Sequence, residues 1–167
     1  RLHDPRRFGC VLFSQGEISN HRLLRDLGPE PLSNEFSGQY LYEKSRNRKV
    51  SIKQFIMNAK LVVGVGNIYA CEALFFSNIN PKISAGRISQ FRYEILAANI
   101  KNILCSSIEM GGTTLRDFVN EEGEPGYFKQ SLMVYGRQDE NCKRCDKNIS
   151  KIFQSGRSTF YCSNCQR

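Results

Sequence analysis

A chain of 167 residues has room for one ordinary domain, or for a medium domain with a small appendage. Hydrophobic residues make up 40% and charged residues 24%, enough apolar material for a core and far from a disordered polyelectrolyte. No run approaches the ~18 apolar residues of a membrane span, mean hydropathy is -0.44, and no membrane partner is expected. The net charge of +8, with a pI near 9.2, favours a polyanionic partner without naming one. The chain opens Arg1-Leu2-His3-Asp4, with neither an initiator Met nor a signal-peptide pattern, so it is expected to be a piece of something longer.

The excess charge is concentrated. Residues 1–9 carry +2, residues 44–60 carry +6 with no acid among them, and residues 137–167 carry +4. The stretches 10–43 and 61–136 sum to −3 and −1. Charge kept only for solubility would be scattered, so three separate basic segments suggest three surfaces meeting a phosphate backbone. For any one segment taken alone, a solvated face is an equally good account.

Phe8-Gly9-Cys10-Val11-Leu12-Phe13 is apolar and β-compatible and runs into a polar turn at Gln15-Gly16, which reads as the end of a sheet. His21 to Leu27 has a short helical pattern, stopped by Gly28-Pro29-Glu30-Pro31. Phe36, Tyr40 and Leu41 suit a helix leading into the basic run. Ile52, Phe55, Ile56, Ala59 and Val63 form one apolar stripe at helical spacing, broken by Gly64-Val65-Gly66-Asn67. A second stripe, Ile68, Cys71, Leu74 and Phe75, ends at Asn78-Ile79-Asn80-Pro81, giving helix, tight glycine turn, helix. Phe91 to Ile108 is a further helix, with Leu96, Ile100, Ile103 and Leu104 as its buried edge and Gly111-Gly112 as its stop. Thr114 with Asp117 suits a capping box, and 121–126 is a polar, glycine-rich loop. From Leu132 on, the chain is β-compatible and carries cysteines.

Seven cysteines fall into two kinds. Cys142-x2-Cys145 and Cys162-x2-Cys165 are two knuckles sixteen residues apart. Each can supply two soft ligands from one tight turn, and zinc needs four in a tetrahedron. Between them, Ile149 to Phe153 and Ser158 to Tyr161 read as two strands around Gln154-Ser155-Gly156-Arg157, which describes a zinc ribbon. Two disulfides are the other reading, but nothing indicates secretion and the x2 spacing at both ends is a metal signature. Four protein ligands fill the coordination sphere, so the single zinc expected here is structural and does not activate water. Lys143 and Arg144 beside the first knuckle are expected to offset part of its negative charge. Cys10, Cys71 and Cys105 are expected on apolar faces as small hydrophobes.

The glycine turn at 64–67 is too short for a dinucleotide fingerprint and follows a helix rather than a strand. It does offer a helix N-terminus at Asn67, whose N–H groups and dipole suit a phosphate. A plain cap by Asn67 is an equally natural role, and the two are compatible. Lys53 and Lys60, seven residues apart on the expected helix, are placed on or beside its outer face, flanking a phosphate at the mouth of the turn.

Lys60-Leu61-Val62-Val63-Gly64-Val65-Gly66-Asn67-Ile68-Tyr69-Ala70 resembles the helix–two-turn–helix core of bacterial formamidopyrimidine-DNA glycosylase. The segments 3–9, 27–32, 111–115, 126–128, 134–137, 159–162 and 165–166 resemble that family in the same order, so the likeness covers essentially the whole chain. Endonuclease VIII, the sister family, shares the two helices and the zinc finger. It typically departs after the Gly-Asn turn, so Asn67-Ile68-Tyr69-Ala70 points to the oxidised-purine branch. The resemblance implies a mainly α fold with a small β zinc ribbon. Residues 1–15 would be a remnant of a catalytic β-sandwich with its intercalation loop, 16–131 the helix–two-turn–helix domain, and 132–167 the zinc finger.

The resemblance also implies roles. Lys53 and Asn67 look like the pair that grips phosphates beside the damaged nucleotide, and Arg157 like the arginine that reaches phosphates flanking the lesion. Arg6 and Phe8 match the intercalation loop, where the arginine fills the gap left by an extruded base and the phenyl wedges the stack. Asn120, Glu121 and Tyr127 fall in the loop that closes over the everted base. The implied partner is damaged double-stranded DNA, bound by a monomer in the bacterial cytoplasm.

The family's chemistry is done by an amino-terminal proline whose amine attacks the sugar C1′, followed by a glutamate and assisted by a lysine further along. Here residues 1 and 2 are Arg1 and Leu2, so the parent protein is expected to be the glycosylase and AP lyase, and this chain alone to bind DNA without catalysis. A different class of reading is a free-standing zinc-ribbon DNA-binding or adaptor protein. The segment from His3 to Gly9 speaks against it, because a self-contained module has no use for an orphaned sheet edge and intercalation loop.

Overall fold

The computed structural model describes residues 9–112 and 131–167. The expectations for Arg6, Phe8, the Thr114 capping box, Asn120, Glu121 and Tyr127 lie outside the described residues. Four helices, α1 (Gly38–Ser45), α2 (Ile52–Ile56), α3 (Asn67–Phe76) and α4 (Gln90–Glu109), precede a two-stranded antiparallel hairpin, β1 (Ser150–Gln154) and β2 (Arg157–Tyr161). The fold is therefore a mostly helical lobe followed by a small β ribbon.

Three of the helices start at serines that accept a backbone N–H. Ser37 accepts from Tyr40, Ser51 from Gln54 and Ser89 from Arg92. At Ser51 the Gln54 side chain reaches back to the cap, completing a capping box. Helix α1 crosses α4 at Gly38, where a Cβ would stand 2.4 Å from the Cα of Glu94; only glycine allows that approach. Leu41, Ile52, Phe55, Ile56, Leu74, Tyr93, Leu96 and Ile100 fill the space between α1, α2, α3 and α4.

Helix α2 stops at Ile56, short of the Val63 expected from the apolar stripe. The cause is Asn58, which draws the backbone into a turn. Its carbonyl accepts from Leu61 and Val62 N–H at 2.8 and 3.1 Å, and its side-chain oxygen from Lys60 N–H at 3.0 Å. The segment then pairs with the loop before α1. Gly28 N–H donates to Ala59 and Val63 N–H to Pro29, and a Cβ on Gly28 would overlap the Leu61 carbonyl carbon at 2.4 Å. Gly64, at φ +77, turns the chain into α3.

The expected strand over 8–13 is not formed by residues 9–13, where Val11 and Phe13 are 80% and 88% exposed. A strand without neighbours to pair with has no stability of its own. Likewise 21–26 is a run of turns instead of a helix, tied by Leu24 and Arg25 N–H to the His21 carbonyl. Cys71 is buried as expected, but Cys10 and Cys105 are exposed. Among the described residues no helix is long and apolar enough to cross a membrane.

Candidate nucleic-acid interface and metal centre

Each Cys-x2-Cys knuckle is a tight turn. Asp146 N–H donates to the Cys142 carbonyl and Gln166 N–H to the Cys162 carbonyl, folding two sulfurs of each knuckle toward a common centre. All four Sγ atoms lie within 4.8 Å of one another, with Cys142–Cys165 at 3.9 Å and Cys145–Cys162 at 3.5 Å. A zinc tetrahedron with bonds of about 2.3 Å places its sulfurs roughly 3.8 Å apart, so the cluster fits one Zn²⁺. Cys142, Cys145, Cys162 and Cys165 occupy all four positions, which makes the metal structural. Without metal the sulfurs compete for protons. The Lys147 amide and Asn164 hold Cys145 down at about 6, while burial and the neighbouring sulfurs push Cys165 up to about 12; zinc binding must expel the remaining thiol protons.

Lys143 and Arg144 flank the first knuckle, where the Arg144 N–H donates to Cys142 Sγ at 3.4 Å, and their side chains reach beyond it. Lys143 donates to the Leu132 carbonyl at 3.2 Å. Arg144 lies over the rings of Phe75 and Phe76 and donates to the Phe75 carbonyl and Asn78 Oδ1, closing the C-terminal end of α3, where a cation is favoured by the helix dipole. The ribbon is clamped elsewhere too. Gln166, 1% exposed, accepts from Cys162 N–H at 2.8 Å and donates to the Ile79 carbonyl at 2.9 Å.

Glu72 is the clamp that sequence reasoning missed. This carboxylate on α3 is 1% exposed and accepts backbone N–H bonds from Met133, Val134 and Tyr135 at 2.8, 2.9 and 2.8 Å. Burial raises its pKa, and the three amides together with Lys143 oppose that shift. A charged residue inside an otherwise apolar helix, Tyr69-Ala70-Cys71-Glu72-Ala73-Leu74, was the available signal.

The N-terminal end of α3 meets β2. Asn67 Nδ2 donates to the Ser158 carbonyl at 3.0 Å and approaches the Tyr135 hydroxyl at 3.5 Å. Asn67 does not cap α3: Gly66 holds that position, and no side chain caps the helix. Lys53, expected on or beside an outer face, is 1% exposed. Its ammonium donates to the same Ser158 carbonyl at 3.1 Å and to Thr159 Oγ1 at 2.5 Å. Burial, with the charge of Arg157 adding to it, lowers the Lys53 pKa, against a pull upward from Cys71. Arg157 itself is exposed at the start of β2, directly after a two-residue turn in which Ser155 and Gly156 take φ 50 and 72. Gln54 of the α2 capping box also bonds Ser155 at the hairpin tip.

Three of the residues expected to meet phosphates, Lys53, Asn67 and Arg157, thus converge on one short stretch of β2. Lys60 does not join them. It follows the end of α2, is 69% exposed, and lies 3.5 Å from Asp26. Arg46, counted in the same basic run, stacks at 3.9 Å on Tyr42 and donates to the Ile88 carbonyl, a structural use of its charge.

Helices flanking a two-turn connection, with a four-cysteine ribbon clamped to the second of them, define a helix–two-turn–helix protein with a zinc finger. Residues 27–119 match the formamidopyrimidine-DNA glycosylase H2TH domain, and residues 139–167 match the zinc finger found in FPG and IleRS. The chain belongs to the formamidopyrimidine-DNA glycosylase family. It is 58% identical over 166 residues to formamidopyrimidine-DNA glycosylase of Vesicomyosocius okutanii, covering 99% of this chain and 61% of the relative. The corresponding protein of Cellvibrio japonicus is 55% identical over 167 residues, with 100% and 62% covered. Among solved structures, MutM (Fpg) from Thermus thermophilus superposes with a TM-score of 0.90 at 34% identity, covering 98% of this chain and 63% of that one. Lactococcus lactis Fpg in complex with abasic-site DNA gives 0.80 at 34% identity, with 87% and 53% covered. The chain therefore spans a little over three-fifths of the curated relatives' length.

Proposed function

We propose that this chain is the damaged-DNA-binding part of a base-excision-repair glycosylase and AP lyase that removes oxidised purines, 8-oxoguanine and formamidopyrimidines. The observation that carries the proposal is the convergence of two cations and a helix-terminal amide, Lys53, Arg157 and Asn67, on Ser158 and its neighbours. Two positive charges with the N-terminus of α3 beside them form an anion-binding corner. The charge of that corner suits a DNA phosphate, and the names of the relatives accord with the reading. Arg6 and Phe8 then act as intercalating residues. Asn120, Glu121 and Tyr127 belong to the loop over the extruded base.

In the whole enzyme, an N-terminal proline forms a Schiff base with the sugar C1′, the base departs, and β,δ-elimination cuts the strand. An α-amine suits this role because its pKa lies nearer neutrality than that of lysine. The 167 residues of this chain grip DNA as a monomer, and the cutting is assigned to the proline of the whole enzyme. Fluorescence anisotropy on duplexes with and without an abasic-site analogue tests the grip, with tighter binding of the damaged duplex expected. Borohydride trapping on 8-oxoguanine DNA tests the chemistry. No covalent adduct is expected with this chain and one is expected with a full-length relative; an adduct with this chain alone overturns the assignment of the nucleophile.

A further inference from the structure

The phosphate corner contains a residue that the proposed function leaves without a task. Thr159 is fully buried at 0% exposure in β2, three residues before the zinc ligand Cys162. Its hydroxyl accepts from the Lys53 ammonium at 2.5 Å, while the adjacent Ser158 carbonyl accepts from both Lys53 and Asn67. An ammonium carries three N–H donors; Ser158 and Thr159 engage two of them, and on the phosphate reading the third is the one that meets DNA. A free lysine side chain is among the costliest to order, and fixing it before binding removes that cost from the association step. Threonine suits the task because its β-branched Cβ restricts χ1 and so fixes where the hydroxyl oxygen sits.

We propose that Thr159 is a positioning residue for the DNA grip: through its hydroxyl, the zinc-bound ribbon sets the Lys53 ammonium at the phosphate site. This rests on the reading of Lys53 as a phosphate ligand. Thr159 touches no DNA; it acts through Lys53.

The test uses the zinc-loaded chain and a duplex with an abasic-site analogue, titrated over a range of salt. Thr159→Val keeps the shape of the side chain and removes the acceptor. It is expected to weaken binding about tenfold, the loss typical of one hydrogen bond to a charged group. The slope of log affinity against log salt is expected to fall toward that of Lys53→Ala, by about 0.9 for one lost phosphate contact. Thr159→Ser is expected to recover most of the affinity. In a Lys53→Ala background Thr159→Val is expected to cost nothing more, whereas Arg157→Ala keeps its full effect in the Thr159→Val background.

If Lys53→Ala weakens binding and Thr159→Val does not, or if Thr159→Val is equally costly with and without Lys53, the positioning role is overturned. If neither Lys53→Ala nor Arg157→Ala changes binding, it is the DNA reading that fails. Should Thr159→Val lose its zinc, the wild-type chain decides. A Lys53 ammonium held by two acceptors gives a slowly exchanging ¹⁵N–¹H signal by NMR at neutral pH, and a signal that exchanges as fast as those of surface lysines overturns the proposal.

Discussion

The two lobes hold their shape by different physics. Nineteen buried hydrophobic residues, among those described, form the cluster of the helical lobe. The ribbon's cluster has seven, of which two are metal ligands and two, Cys71 and Phe75, are lent by α3. By area alone the ribbon cannot stand. It borrows stability from zinc at one end and, along its length, from hydrogen bonds to α2, α3 and the 78–81 turn. The proposed binding corner lies where this dependent lobe meets α2 and α3, so its geometry is only as firm as the metal and the clamps.

Metal removal breaks the contrast most completely. Structural zinc contributes on the order of 10 kcal/mol to small domains of this kind. Chelation is expected to release one Zn²⁺ per chain, strip hydrogen-exchange protection from residues 139–167 and abolish DNA binding, while most of the helical circular dichroism remains. Ribbon amides that stay protected without metal would refute the comparison. Next in size, Glu72→Ala leaves three N–H groups without their acceptor, that of Val134 buried and those of Met133 and Tyr135 partly so, and is expected to cost roughly 3 kcal/mol in denaturant titration, with Glu72→Gln distinctly milder.

Lys53→Ala is expected to weaken DNA binding by roughly 10- to 100-fold, with Zn content unchanged. The depressed Lys53 pKa has a consequence for pH. Folding penalises the charged ammonium, so the stability contribution of this group improves as pH rises through its folded pKa toward the ordinary lysine value. Binding behaves in the opposite way, because a neutral Lys53 no longer attracts phosphate. Affinity is expected to start falling below the usual lysine range, and Lys53→Arg to move that fall upward in pH. The smallest effect is expected at Lys60, whose exposed pairing with Asp26 is worth under about 1 kcal/mol. Lys60→Ala is expected to change affinity and melting only slightly, and a loss comparable to that of Lys53→Ala would return Lys60 to the corner.

What the sequence made legible follows the range of the interactions. The zinc site rests on two local spacings and could be read outright. The start of α2 was also written locally, in Ser51-x-x-Gln54, although the apolar stripe drew attention to Ile52 and Phe55 instead. Its end was not, because Asn58 redirects the chain in partnership with Gly28 and Pro29, thirty residues upstream. Lys53 is expected away from the Ile52, Phe55 and Ile56 stripe or beside it, because helical spacing is all that a local reading has to place it. Its acceptors come from a strand more than a hundred residues away, beyond any periodicity. Glu72 was out of reach for the same reason: its charge is met by main-chain groups of another segment, and main-chain groups leave no mark in composition.

The acceptor shared by Lys53 and Asn67 belongs to the backbone of Ser158, and this shapes which changes the ribbon can tolerate over evolution. No side-chain exchange at position 158 can delete a carbonyl, so that position is free to vary while its function persists. An insertion or deletion in the two-residue tip at Ser155-Gly156 is another matter. A shift of one residue along β2 turns every side chain to the opposite face, carrying the carbonyl, Thr159 and Arg157 away from the helices together. The length of the hairpin, more than the identity of most of its residues, is what natural selection is expected to hold constant.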